Sequence, residues 1–408
     1  MTGPWTRQRT LAALALAALL ALAACGGGAP DPATPSPSAT SPATPGDGAD
    51  PSDTPTPVEA DEHPIEATKP EPLRAGERRL RLTMPATYTP SAPYGTGTDD
   101  YRCFLLDPHL TEDAYLTGTF VQPDNADVVH HVILFQVPPA DVARAEALDA
   151  DTPGEGWTCF GDSGLTKGPA LDNAPWLGAW APGGREAVQR RGFGVLLKAG
   201  TQIVMQVHYN LLAGTGPDAS STLLRLAPAD GAMTSVETML LPAPVELPCR
   251  PGHADGPLCE RDAAVADVAA RFGADGATAN LLHLLCGKEI VPGNTQSCTR
   301  TITQPTTVRA VAGHMHLLGR AITIKVNPGT PQERTILDIP LWNFDDQGAR
   351  PIKPVHLHMF DKVEVTCRHV QWLRDRLPAF EGQPDKYVVW GDGTTDEMCL
   401  GILQVTHP

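Results

Sequence analysis

Short runs of Val, Ile, Leu and Thr, each cut off by Pro, Gly or Asp, recur along this chain and leave it few architectures. Residues 128–137, 195–197, 203–209, 222–226 and 362–367 are examples. Runs of that length, rich in β-branched side chains and closed by turn residues, predict an all-β fold of β-sandwiches. Residues 76–408 suffice for two domains, drawn here as 76–229 and 230–408. One stretch departs from the pattern. Val265, Val268, Ala269 and Phe272 share a helical face, and Gly273 follows as a C-terminal cap. Residues 249–298 are therefore read as a small, partly helical, disulfide-bridged insertion in the second domain.

Ahead of the body, Arg7 and Arg9 precede an apolar run over 11–24 that is too short to span a bilayer. It ends Leu22-Ala23-Ala24-Cys25-Gly26, which resembles the bacterial lipobox. That resemblance implies a signal peptide over 1–24 and lipidation of Cys25, so that the chain is exported and tethered to the cell envelope by its lipid alone. Residues 25–75 are rich in Pro, Ser, Thr, Ala and Asp without apolar periodicity, and are expected to form a disordered spacer. The formal charge of -16 and the lack of a basic stripe argue against a nucleic-acid partner. No G-x-S-x-G elbow, P-loop or dinucleotide fingerprint is present.

Cys25 aside, eight cysteines remain, an even number suited to an oxidising compartment. Proximity in sequence suggests Cys103–Cys159, Cys249–Cys259, Cys286–Cys298 and Cys367–Cys399, with the middle four able to pair across instead. None has CxxC spacing, so a thiolate metal or redox site is not expected.

The histidines carry the chemistry. In Gly313-His314-Met315-His316-Leu317-Leu318-Gly319-Arg320, alternating β-branched runs on both sides predict a strand with a short interruption. Residues i and i+2 of a strand share a face about 6–7 Å apart, so His314 and His316 can close on one ion. His130 and His131 are adjacent within residues 127–135, and adjacent strand residues face oppositely. They can share an ion only where the strand bends or bulges. His208 sits in Gln206-Val207-His208-Tyr209.

Val129-His130-His131-Val132, Gln206-Val207-His208-Tyr209, His314-Met315-His316-Leu317-Leu318-Gly319-Arg320 and Thr395-Asp396-Glu397-Met398-Cys399 occur in that order. Together with Tyr101-Arg102-Cys103 and residues 361–367, they resemble the copper type II, ascorbate-dependent monooxygenases, the family of the peptidylglycine and dopamine hydroxylases. The resemblance covers most of residues 95–405 as scattered islands. It implies two nine-stranded, jelly-roll-like domains, each with one copper. His130, His131 and His208 would hold the electron-transfer copper, and His314, His316 and Met398 the oxygen-activating, catalytic one. Tyr101 and Gln206 match positions beside the first. The implied reaction hydroxylates a C–H bond of a small-molecule substrate with dioxygen and ascorbate or another one-electron donor.

Ligand chemistry agrees independently. Imidazole suits both copper oxidation states, whereas a thioether favours Cu(I) and is a poor choice for zinc, the rival metal for three histidines. A bridge between Cys367 and Cys399 would pin the chain at Met398. The pattern departs from the peptide-hydroxylating branch at Ala312, Leu400 and Ile402, where that branch has an arginine, an asparagine and a tyrosine that help bind a substrate carboxylate. Apolar side chains supply no charge-assisted donor. The substrate is therefore expected to be neutral or apolar near the reacting carbon, and glycine-extended peptides are not expected to be substrates. His356-Leu357-His358 is read as scaffold, and His253, His283 and His369 receive no role. Two other functions fit parts of the same pattern: a copper-storing or copper-delivering lipoprotein without oxygenase activity, and an inactive relative kept as a binding module. The chain carries no readable sign of oligomeric state.

Overall fold

The strand Val129–Val137 shows why the chain layers as it does. Val129, Val132 and Leu134 turn inward among Leu116, Met205, Val207 and Leu224, while Phe135 and Val137 pack on the other face with Cys103, Trp157 and Val204. A strand buried on both faces needs a nearly continuous apolar run, which residues 132–135 provide. The computed structural model describes residues 69–92, 98–165, 171–231, 233–273 and 277–408. The expected signal peptide, Cys25 and residues 26–68 of the spacer lie outside the described residues.

Two β-sandwiches follow one another, and the fold is all-β. In the first, Arg78–Thr83, Ser221–Pro228, Ala114–Gln122 and Phe193–Leu197 form one sheet, with the short Ala187–Val188 and Thr234–Ser235 at its margins. The facing sheet runs Trp157–Thr158, Asp99–Leu106, Gln202–Asn210, Val129–Val137, Trp176–Trp180. In the second sandwich, Glu237–Pro242, Leu400–Thr406, Thr306–His314 and Arg350–Leu357 face Thr295–Thr301, Lys362–His369, Gly319–Val326 and Arg334–Ile339. A two-stranded ladder, Glu246–Leu247 with Val388–Val389, stands beside them. Short ladders bring the strand totals above the nine per domain implied by resemblance. Thr234–Ser235 still pairs with Phe193–Gly194, so the chain crosses to the second sandwich at Val236, a few residues beyond the expected boundary.

All four cysteine pairs join as sequence proximity suggests. The insertion carries helices Arg261–Phe272 and Thr278–Cys286, and Gly273 ends the first at φ 63°. The fully buried Glu246 ties both helices down: its carboxylate accepts from Arg261 (2.7 Å twice) and Tyr387 Oη (2.7 Å), with His283 Nε2 at 2.8 Å. A helix that the residue pattern does not announce, Val142–Asp151, covers the Phe135–Val137 face through Ala145.

Two expectations are corrected. Residues 71–75 are no spacer, because they are docked on the body. The buried Arg225 guanidinium draws the Pro72 carbonyl to 2.6 Å, and Arg74 donates to the Gln189 carbonyl at 2.7 Å. Nor is the HxH stretch one interrupted strand. Thr306–His314 and Gly319–Val326 belong to opposite sheets, and residues 315–318 form the arc between them. Met315 and Leu318 drop into the core, so the arc is driven by burial. Glycine is required at both ends. A Cβ at Gly313 would meet Ile322 at 2.9 Å, and one at Gly319 would meet Trp342 at 2.8 Å.

Arg225 is 2% exposed and pairs with Glu77 (2.7 Å) and Glu186 (3.4 Å). Burial alone would raise the Glu77 carboxyl, but hydrogen bonds from the Arg74 backbone and from Arg225 hold it below the usual range. Removing one partner of a buried ion cluster leaves the others uncompensated. Arg225→Met should cost about 3–5 kcal/mol in urea unfolding. A loss under about 1 kcal/mol would show that these charges are solvated.

Candidate metal centre

Pairing across Val129–Val137 and Gln202–Asn210 slips by one residue between Val129 and His131. The extra residue is His130, so the bulge that two adjacent histidine ligands require is present. The Nδ1 atoms of His130, His131 and His208 stand 3.2 Å from one another in all three pairs. By triangle geometry, the point equidistant from them lies about 1.8 Å from each, just inside the usual metal–imidazole distance of about 2.0 Å. These three residues could hold a metal ion.

The surroundings prepare these nitrogens. His208 Nε2–H donates to Asp99 at 2.8 Å, which leaves its Nδ1 lone pair directed at the triangle. Asp99 also accepts from Thr394 Oγ1 (2.6 Å), the Thr394 backbone N–H (3.2 Å) and Asn210 Nδ2 (3.2 Å). Burial would raise this carboxyl, and the hydrogen bond from His208 and those from Thr394 bring it below its usual range. Tyr101 stacks on His208 with ring centroids 4.0 Å apart, and its hydroxyl donates to the Asp392 carbonyl at 2.7 Å. Gln206 shares the sheet face, but its amide donates to the Asp162 carbonyl at 2.9 Å rather than to an imidazole. Phe344, from the second sandwich, stacks on His130 at 4.6 Å.

His314, His316 and Met398 line the same cavity as His131. The His314 and His316 rings lie 5.1 Å apart, and His314 is 6.2 Å from His131. His314 Nδ1 engages Gln347 Oε1 at 2.6 Å, leaving Nε2 available for an ion. The buried His316 Nδ1 has no hydrogen-bond partner among the described residues, and a metal would satisfy it. Met398 lies two residues before Leu400, the partner of His314 across the ladder. Two imidazoles and a thioether that open on one cavity fit copper and do not suit zinc.

Nothing in the sequence marks Glu397 or His369, yet both bond to the chain around His316 and Met398. The fully buried Glu397 carboxylate accepts from the His316 backbone N–H at 3.0 Å and from the Leu318 backbone N–H. His369 Nε2 lies 3.2 Å from Glu397 and 3.1 Å from the Met398 carbonyl oxygen. The Cys367–Cys399 bridge fixes the next residue. Asp99, Thr394 and Gln347 are equally silent in the sequence, since nothing there marks a carboxylate, hydroxyl or amide as the neighbour of a distant histidine. His356 and His358 are exposed and line no part of the cavity.

The cavity encloses about 1040 Å³ between the two sandwiches. Ala312, Leu400 and Ile402 all line it, and none offers a charge to a carboxylate. No family model matches the chain, and no curated protein matches it. Among solved structures, the chain is similar to an allantoicase, at 12% identity over 66% of this chain and 74% of that one, with a TM-score of 0.17. It is also similar to the VP2 subviral particle of infectious bursal disease virus, at 9% identity over 84% and 74%, TM-score 0.19. A Paenibacillus xanthan lyase matches at 12% identity over 81% of this chain and 25% of that chain, TM-score 0.19. Likenesses at these TM-scores carry no argument about this chain.

Asp99→Asn keeps an acceptor for His208 but removes the charge. It should weaken copper binding by the His130, His131 and His208 set roughly ten-fold or more in chelator competition, and unchanged affinity would contradict the orienting role. Acid should also unfold the metal-free chain early. Burial foremost, with the neighbouring imidazoles, pushes His130 down to about 2 and His314 to about 3, and holds His131 and His316 below the ordinary range. As pH falls below about 6.5 the unfolded chain takes up these protons and the folded one does not, so stability must fall with pH. The limit is about 1.4 kcal/mol per pH unit for each imidazole. Urea midpoints that stay flat from pH 7 to pH 5 would contradict this.

Proposed function

We propose that this chain is a copper-dependent monooxygenase that hydroxylates a C–H bond of a neutral small molecule, using dioxygen and ascorbate or another one-electron donor. The observation that carries the reading is one cavity lined by His131, from a three-nitrogen triangle, and by His314, His316 and Met398. A store or carrier needs one such set; two dissimilar sets facing one another suit electron transfer coupled to chemistry. The lipobox-like leader and four disulfides favour an exported protein held at the envelope by a lipid on Cys25.

Copper, when bound, would supply one-electron redox chemistry and reactivity toward dioxygen. The rest belongs to the chain. Burial keeps the imidazoles neutral and ready as ligands. Asp99 and Gln347 orient His208 and His314 by holding the ring nitrogen that does not face the ion. The Met398 thioether favours the reduced metal, and Glu397, His369 and the Cys367–Cys399 bridge keep its backbone in register with the histidine arc. The apolar side chains of Ala312, Leu400 and Ile402 offer water no hydrogen bond at the reacting end.

Copper loading should give two ions per chain, and ascorbate should drive oxygen uptake. Met398→Ala should abolish that uptake, by roughly 100-fold or more, while the ion at His130, His131 and His208 stays bound. One ion per chain, or oxygen use indifferent to Met398, would remove the enzyme reading and favour the carrier. Turnover of a glycine-extended peptide would refute the exclusion of carboxylate substrates.

A further inference from the structure

The cavity wall supplied by the second sandwich is a regular grid. Three adjacent strands, Glu237–Pro242, Leu400–Thr406 and Thr306–His314, each point alternate residues into the cavity. Their register sorts these residues into three cross-strand rows. Pro242, Leu400 and His314 form the first row; Leu240, Ile402 and Ala312 the second; Thr238, Gln404 and Ala310 the third. All nine line the cavity. Rows two residues apart along a strand are about 6.6 Å apart, so the third stands about 13 Å from the histidine row.

The rows differ in chemistry. Beyond His314 the first two are wholly apolar, and Ala312 and Ala310 leave room rather than filling it. The third offers the Gln404 amide and the Thr238 hydroxyl, and the latter lies 3.4 Å from the Trp176 carbonyl. No charged side chain stands in any row. Ile133 and Trp176 face the grid from the first sandwich, and Leu281 and Leu285 of Thr278–Cys286 close its side. Among the described residues, six charged ones border the cavity outside these rows. Arg185, Asp345 and Asp346 are exposed, Glu186 is paired with Arg79 and Arg225, Asp162 accepts from the Gly164 backbone N–H, and Asp392 is buried.

We infer that the cavity takes a neutral, largely aliphatic molecule on the order of 13 Å long, its oxidisable end at the His314 row and an uncharged hydrogen-bonding group, an alcohol or amide, at Gln404 and Thr238. The orientation rests on the monooxygenase reading; the binding does not. A carboxylate or ammonium at either end would be desolvated against rows that hold no counter-charge. An amide meets a donor and an acceptor on Gln404, and a site built for such a group discriminates against ligands lacking it.

The test uses the full chain stripped of metal, with the neutral fluorophore N-phenyl-1-naphthylamine as the probe to be displaced. Decan-1-ol and decanamide should displace it at least about ten-fold more effectively than decanoate or decylammonium. Gln404→Leu should weaken decanamide about ten-fold and leave the probe bound. Ala312→Arg should bring decanoate level with decanamide or ahead of it. A wild-type chain that fails to bind the probe, or decanoate that competes as well as decan-1-ol, would overturn the inference. So would Gln404→Leu that leaves decanamide untouched, a result that does not depend on whether Ala312→Arg folds. Copper stoichiometry is measured separately. A chain that takes fewer than two ions yet ranks these ligands as stated refutes the enzyme reading and upholds the binding inference.

Discussion

The Asp99 carboxylate, nearly buried between the two sandwiches, is shared by His208 of the first and by Thr394 of the second. Most of the site depends on the segment that this contact grips. Residues 392–398 are held from the first sandwich by Asp99 and by Tyr101, whose hydroxyl reaches the Asp392 carbonyl. From the second they are held by Asp396, which Arg271 meets at 2.7 and 2.8 Å and Lys386 at 2.5 Å. Burial would raise the Asp396 carboxyl, but the Lys386 and Arg271 charges hold it far below its ordinary range. A buried charge so fully engaged cannot move without leaving several partners unpaired, which makes the segment a fixed reference for both ligand sets.

From that reference the proposed second ligand set follows in a few residues. Glu397 takes two backbone N–H groups of the histidine arc, His369 spans Glu397 and the Met398 carbonyl, and Cys399 is bonded to Cys367. A thioether is a weak, uncharged ligand with a flexible side chain, so its backbone must be placed by other means. Here three hydrogen bonds and one covalent bond do so. The same segment leads into Leu400–Thr406, whose alternate residues form the middle of the cavity grid, so the proposed metal ligands His314 and Met398 and the cavity wall share one strand register.

Much of this was legible in the residues themselves. Period-two apolar runs predict sandwiches because a strand has only two faces to fill, and the bulge at His130 follows from two adjacent histidines needing one face. All four disulfides were suggested by nearness along the chain. Less was legible where a contact spans the molecule. The flanks of His314-Met315-His316 read as one strand, since local propensity does not reveal that Met315 and Leu318 turn into the core and send the chain to the opposite sheet. The stretch before residue 76 reads as spacer, because the partners that dock residues 71–75, Glu186, Gln189 and Arg225, lie more than 100 residues further along the chain.

The sequence by itself determined the residue types: which segments alternate, which side chains can ligate a metal, which cysteines can close, and that Ala312, Leu400 and Ile402 carry no charge. Those properties are local, being set by covalent chemistry and by the two-residue period of a strand. Only the tertiary structure decided that Asp99, Thr394, Gln347, Glu397 and His369 attend the histidines and Met398, that the His131 and His314 rings come within 6.2 Å, and that nine residues from three strands form one graded wall. Hydrogen bonds and packing act over a few ångströms of space whatever the separation along the chain. Partners such as Asp99 and Thr394, 295 residues apart, leave no local trace of each other.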